Sequence, residues 1–217
     1  MYDAERRSRT YYEARARWFD WANRFAALLR GVSQMKERRK AVDRMAIAPG
    51  ARALEVSVGT GTNVPLMAER VGAGGRVVGV DISRAMLKRC REKLGRYGVA
   101  ADLIEGEAAH LPFAVEAFDA VLHHGGFAEF GDKRGAAAEM LRVARGGAKI
   151  VICDPGLDRD RRQPIMSRLL LRMQPLYERE PPLDVMPTQA VDLQLFWFHG
   201  GALYLIEFSK PVAIPAA

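Results

Sequence analysis

The sequence predicts an α/β protein. Its core is a doubly wound sheet of seven strands, five parallel and two in a C-terminal hairpin, beneath a helical N-terminal cover. Three observations carry this. Between residues 52 and 153, short apolar runs alternate with helical patterns, which calls for parallel strands joined by right-handed crossovers. One run, "RALEVSV", is apolar almost throughout, as a strand covered on both faces must be. A glycine turn, "GTGTN", follows that strand directly and leads into a helix, at the carboxyl edge where such sheets bind ligands.

Residues 1–48 read as the helical cover. A first helix places Trp18, Trp21, Phe25 and Leu28 on one apolar stripe, with Gly31 as terminator. A second has Met35, Val42 and Met45 on one side and sends Arg38, Arg39 and Lys40 toward water. "APG" at 48–50 breaks the pattern and opens the core, residues 49–217. After "RALEVSV" comes "NVPLMAERV", a helix with Pro65 in its first turn. "RVVGVD" is the second strand. "SRAMLKRCREKLGRYG" is a helix capped by Ser83, with Ala85, Met86, Cys90 and Leu94 among its apolar positions. "ADLIEG" and "AFDAVLHHG" are the third and fourth strands. "DKRGAAAEMLRVARGG" is a helix ending in glycines, and "AKIVICD" is the fifth strand. Residues 155–190 read as a separate segment, with a helix at 163–174 and an irregular loop, "EREPPLDVMP". "VDLQLFWFHGGALYLIEF" is the hairpin.

Composition limits the classes open to the chain. Its 217 residues, nearly half of them apolar, suit one large core. No apolar run reaches the ~20 residues of a membrane span. The start is charged and aromatic, without the apolar segment of a secretory signal. Two distant cysteines, Cys90 and Cys153, make no zinc pattern and no metal is expected; a reducing cytoplasm is the expected compartment. A formal charge of +7 fits either an arginine-rich surface or an anionic partner. The densest basic run, "MKERRK", lacks interleaved aromatics and is not read as a nucleic-acid site. Peripheral contact with an anionic membrane stays open, and so does a homodimer.

The strand ends select the residues that matter: Ser57 to Gly61, Asp81, Gly106 to Ala108, His123 to Gly126, and Asp154. A dinucleotide fingerprint needs G-x-G-x-x-G. From Gly59 the turn runs G-T-G-T-N-V, so Val64 stands where the third glycine belongs. No Gly-Lys-Ser/Thr follows for a Walker phosphate loop. Asp81, about 20 residues beyond the glycines, sits where an acid takes ribose hydroxyls, in NAD enzymes and others alike.

Glu55, Ser57, Gly59 and Gly61 together resemble the E/D-x-G-x-G-x-G turn of the class I S-adenosylmethionine (SAM) methyltransferases. "VVGVDIS", "EGEAAHLPF" and "FDAV" follow at spacing similar to that family's, over residues 50–153. The resemblance implies a Rossmann-like fold and SAM as cofactor, with S-adenosylhomocysteine as product. It implies that Glu55 holds the ammonium of the methionine moiety and that Val56, Ser57, Gly59, Thr60 and Gly61 line that pocket. Asp81 would bridge the ribose hydroxyls, while Ile82 and Met86 pack on the adenine. Glu107, in place of the usual aspartate, would accept from the adenine amino group beside the backbone of Ala108. Ser57 departs from the family's glycine. It fits if its φ is negative, or if its hydroxyl contacts the methionine carboxylate.

Within the class the chain looks most like the ubiquinone and menaquinone biosynthesis C-methyltransferases and related small-molecule enzymes. An "EFSKP" segment that follows strand five in those enzymes here ends the last strand, Glu207 to Pro211. The acceptor is expected to be small and hydrophobic: a quinone precursor, a lipid or a secondary metabolite. Residues 155–190 are its expected lid, whose apolar residues Met166, Leu169, Leu170 and Met173 suit a hydrophobic acceptor or equally a dimer contact. "HHGGF" after the fourth strand lacks the Asp/Asn-Pro-Pro-aromatic turn of amide and adenine enzymes and the Pro-Cys of cytosine enzymes. His123 is expected near the sulfonium end of the cofactor, and His124 toward the acceptor as a general base. Asp154 is expected to orient a base or acceptor, and Tyr11 and Tyr12 to cover the cofactor. Two other classes stay open: a non-catalytic module on the same fold, with Ser57 and Glu107 as its marks of drift, and an NAD-dependent oxidoreductase.

Overall fold

The computed structural model describes residues 6, 9–11, 13, 34–160, 179–198 and 201–212. The expected first helix, Tyr12 and the expected helix at 163–174 lie outside the described residues. Helix α1, Gln34–Arg44, precedes strand β1, Arg52–Val56. Helix α2, Val64–Val71, leads to β2, Arg76–Asp81, and α3, Arg84–Tyr97, to β3, Asp102–Glu105. Strand β4, Phe118–His124, and helix α4, Lys133–Val143, are followed by β5, Ala144–Pro155. Strands β6, Val191–Phe198, and β7, Leu203–Ser209, close the chain as a hairpin.

The seven strands form one sheet in the order β3-β2-β1-β4-β5-β7-β6. β1 to β5 run parallel; β7 pairs antiparallel with both β5 and β6. The hairpin expected from sequence is present, and it inserts its second strand next to β5, leaving β6 outermost. The chain winds outward from β1 to β3 and then returns to β4, so the direction of winding reverses between β1 and β4. Sheets of this kind bind ligands at such a switch point.

Side chains alternate across each strand and feed two cores. On one face Leu54, Val56, Val121, Ile150, Ile152 and Ile206 pack with Met140 and Ala137 of α4. On the other, Ala53, Leu122, Val151 and Leu205 pack with Val42 and Met45 of α1, Met67 of α2 and Cys90 and Leu94 of α3. Ser83 caps α3 by accepting the Met86 N–H at 3.3 Å, and Asp132 caps α4 by accepting from Gly135 at 2.7 Å.

Three local expectations are corrected. Met35 is 48% exposed, so it does not join the buried face of α1. Arg38 turns inward to Asn63 rather than to water. The fourth helix ends at Val143, and β5 begins at Ala144, taking in the glycines read as a helix terminus. Ala144 pairs with Phe118, and Gly147 donates to the Lys210 carbonyl at 2.8 Å. Sheet pairing with distant residues overrides a local breaker signal there. The loop expected at 178–187 contains, among its described residues, one 3-10 turn, Leu183–Val185.

Glu207 fastens α1 to the sheet. It is buried on β7, its Oε2 lies 2.7 Å from Arg44 Nε, and Oε1 accepts from Lys149 Nζ. The Arg44 guanidinium also lies 3.5 Å from the centre of the Phe196 ring. The "EFSKP" glutamate is thus turned to these two cations. Glu207→Ala is expected to cost about 2 kcal/mol, because two cations lose a shared buried partner. Urea unfolding measures this, and a change below about 0.5 kcal/mol would show that the cluster does not hold α1.

Candidate functional site

The turn after β1 is built from left-handed residues. Ser57 has φ +59°, Gly59 +54° and Gly61 +73°. A Cβ on Gly61 would strike Cys90 Sγ, so only glycine fits there. The expectation of a negative φ at Ser57 is corrected: the serine adopts the conformation that glycine would take, which costs an ordinary residue roughly 1–2 kcal/mol. The turn is held by the Val58 N–H on the Val80 carbonyl and the Gly61 N–H on the Val58 carbonyl, both at 2.9 Å, and by the Gly59 N–H on Asp81 Oδ2 at 2.8 Å.

Glu55 is buried beneath this turn. Its Oε1 accepts from Asn63 Nδ2 at 2.5 Å, while its Oε2 is buried without a hydrogen-bond partner among the described residues. Burial pushes its pKa up to about 7, against the opposing pull of Asn63 and the Arg38 charge. Asn63 stands at the N-cap of α2 but makes no cap. Its amide instead bridges two groups, donating to Glu55 and accepting from Arg38 Nη1 at 2.8 Å. Lys93 of α3 reaches over the turn to Thr62 at 3.0 Å and Thr60 at 3.4 Å.

Asp81 ends β2. Oδ2 takes the Gly59 N–H, Oδ1 takes the Ser83 N–H at 2.9 Å, and burial raises its pKa to about 6. Each oxygen keeps a second lone pair for a ligand hydroxyl. Ile82 beside it is half-buried, and Met86 is buried on the first turn of α3. Glu107 and Ala108 follow β3 and are half-buried, with Glu107 Oε1 shielded and unpartnered among the described residues. Their loop is pinned from α4: Leu111 N–H donates to Glu139 Oε2 at 2.8 Å, and Arg142 donates to the Leu111 and Phe113 carbonyls. The Arg142 hydrogen bond holds the Glu139 carboxyl below its usual range.

β4 parts the two histidines. His123 is fully buried against Phe127 and Phe130, with ring centroids 5.5 and 5.0 Å away, and its Nδ1 bonds the Val56 carbonyl at 3.0 Å. Burial lowers its pKa to about 4. His124 is half-buried at the strand's end, in register with Cys153. Asp154 is buried; its two oxygens accept the N–H groups of Gly126 at 2.7 Å and Ala128 at 2.9 Å, and burial raises its pKa to about 6. It shapes the loop after β4. Tyr11 is 48% exposed, on a helical stretch whose Arg9 reaches Glu105, the last residue of β3, at 3.1 Å.

Sequence reasoning missed Arg38 and Asn63. Arg38 carried no local signal, because its helix face looked solvated. Asn63 carried a misleading one, as an N-cap residue type before Val-Pro. Glu139 and Arg142 looked like ordinary helix-surface residues.

A model of the methyltransferase domain matches residues 54–152. Residues 54–152 are thus similar to a methyltransferase domain. A relative named demethylmenaquinone methyltransferase, from Renibacterium salmoninarum, is 40% identical over 117 residues, covering 54% of this chain and 46% of the relative. A phosphatidylethanolamine N-methyltransferase of Cereibacter sphaeroides is 37% identical over 123 residues, covering 56% and 58%. The chain spans about half the length of the curated relatives it matches. A crystal structure of a SAM-dependent methyltransferase from Aquifex aeolicus superposes with TM-score 0.58 at 19% identity, covering 79% of this chain and 88% of that one.

SAM is the cofactor such a domain implies, and the side chains present fit it. Two buried carboxylate oxygens at these strand ends, on Glu55 and Glu107, have no partner among the described residues and suit an ammonium and an exocyclic amine, with Asp81 between them for a ribose. A pyrophosphate would meet the buried Glu55 carboxylate and, in the first turn of α2, Pro65, which has no N–H to offer.

The raised carboxyl pKa values set the sign of the pH dependence. Stability from keeping Glu55 and Asp81 protonated is present below the ordinary carboxyl range and is lost as pH rises through about 6 to 7. Binding a cation at Glu55 runs the opposite way. SAM affinity is expected to rise with pH across this window, with proton release near pH 6, read by titration calorimetry in buffers of different ionisation enthalpy. Glu55→Gln should flatten that profile and weaken binding roughly 10- to 100-fold, and Arg38→Ala should weaken it about tenfold. A profile unchanged in Glu55→Gln would remove Glu55 from the ammonium site.

Proposed function

We propose that this chain is a methyltransferase that moves the methyl group of SAM to a small hydrophobic acceptor of the quinone-precursor or lipid type. The observation that carries the reading is the unpartnered Glu55 oxygen beneath the left-handed turn, within the matched domain. The names of the relatives support the acceptor class: one acts on a demethylmenaquinone and another on phosphatidylethanolamine.

When bound, SAM supplies an activated methyl on a sulfonium, so the protein has to align an acceptor and exclude water. Glu55 and Asp81 bind the two halves of the cofactor, and Glu107 takes its amine. Asp154 holds the Gly126–Ala128 loop through two N–H groups and leaves its shape fixed beside the acceptor. His124, half-buried at the end of β4 with its Nε2 shielded, is the base proposed for an acidic acceptor. His123 is not, with Nδ1 engaged and the ring buried.

Titration with SAM and S-adenosylhomocysteine, then incubation with labelled SAM and either a demethylated quinone or phosphatidylethanolamine, tests the reading. Binding of both nucleosides with label in one acceptor is expected. Folded protein that binds neither would sink it, and stabilisation by reduced nicotinamide would favour the oxidoreductase class instead.

The exposed basic side chains of α1, Lys36, Arg39 and Lys40, suit an anionic membrane in which such acceptors reside. Among the described residues no helix is long and apolar enough to cross a membrane. Co-sedimentation with anionic vesicles is expected to fall as salt rises; binding indifferent to salt would argue against this contact.

A further inference from the structure

Ser57 is the one residue of the 57–61 turn that holds a positive φ despite a side chain, and both peptide planes beside it are fixed. After it, the Val58 N–H is bound to the Val80 carbonyl at 2.9 Å. Before it, the Val56 carbonyl is bound to Nδ1 of His123 at 3.0 Å. A carbonyl only accepts, so Nδ1 carries the hydrogen.

The short route out of the left-handed region at Ser57 is a flip of the Val56–Ser57 peptide plane. It turns ψ of Val56 and φ of Ser57 in opposite senses and swings the Val56 carbonyl off its donor. The His123 bond opposes that motion. The rest of the ring gives the imidazole no other polar purpose: it packs on Phe127 and Phe130, and Nε2 is buried without a partner among the described residues. A phenyl ring would pack there without the desolvation cost. The donor is what the imidazole adds.

We infer that His123 is a positioning residue whose Nδ1–H, by holding the Val56 carbonyl, keeps Ser57 in the left-handed conformation required by the cofactor turn. Ser57 and His123 are then one device split between β1 and β4: a residue that disfavours the conformation and a hydrogen bond that enforces it. The binding part of this inference rests on the turn being the cofactor site; the conformational part does not.

A double-mutant cycle of His123→Phe and Ser57→Gly tests it, with two readouts. In the Ser57 background, His123→Phe is expected to weaken S-adenosylhomocysteine binding about tenfold, the worth of one buried hydrogen bond. In the Ser57→Gly background the same change should cost less than about threefold, because glycine occupies positive φ without help. His123→Asn, whose amide N–H can stand where Nδ1–H stood, should retain binding within about threefold. Without ligand, the melting temperatures should show the same coupling, with His123→Phe lowering it by about 3 °C more in the Ser57 protein. Nitrogen-15 NMR of the wild type should report the Nδ1–H tautomer at both pH 5.5 and pH 8.

Equal costs of His123→Phe in both backgrounds, or an Nε2–H tautomer, would overturn the inference. If the wild type binds no S-adenosylhomocysteine, the cofactor reading fails, and the ligand-free melting cycle still decides this one. If His123→Phe does not fold, the tautomer decides instead, together with His123→Asn, which overturns the inference if it loses binding equally in both backgrounds.

Discussion

Burying carboxylates at the carboxyl edge of the sheet is the constraint around which the site is organised. Glu55, Asp81 and Asp154 end or nearly end β1, β2 and β5, and each is buried. Charged groups there are costly unless satisfied. Asp81 and Asp154 are satisfied by backbone N–H groups from the turns that follow β1, β2 and β4, so they shape those turns. Glu55 is only half satisfied, by Asn63. The remaining oxygen stays an unused acceptor beneath the turn among the described residues, while Asn63, drawn from its capping duty to Glu55, accepts in turn from Arg38.

The same constraint explains the turn. To place the Gly59 N–H on Asp81 and the Val58 N–H on Val80, the chain must turn sharply between β1 and α2. Left-handed φ at residues 57, 59 and 61 does this within five residues. At Gly61 the packing against Cys90 leaves no room for a side chain. At Ser57 there is room, and the conformational cost is met by hydrogen bonds on both sides. Sheet register supplies the partner, since His123 lies opposite Val56 in the β1–β4 pairing.

The two histidines show how adjacent residues on a strand divide their roles. Successive side chains point to opposite faces. His123 falls on the face closed by Phe127 and Phe130 and becomes a buried, neutral group. His124 falls on the other and is half-buried. The pair was visible in "HHGG", but which histidine is buried depends on the 3-10 turn Phe127–Glu129 folding back over β4, a contact with no periodic trace.

The sequence by itself determined the alternation of strands and helices, the glycine turn, and the acids Glu55, Asp81 and Glu107 at strand ends, because periodicity, breakers and motif spacing are local properties of the chain. It also determined that the third glycine of a dinucleotide site is missing. Tertiary structure alone decided the sign of φ at Ser57, the inward turn of Arg38, the diversion of Asn63, the strand character of residues 144–147 and the roles of His123 and Asp154. Each of these depends on a hydrogen bond or packing contact with a residue distant in the chain. The energy of such a contact exceeds the local propensity that a sequence displays.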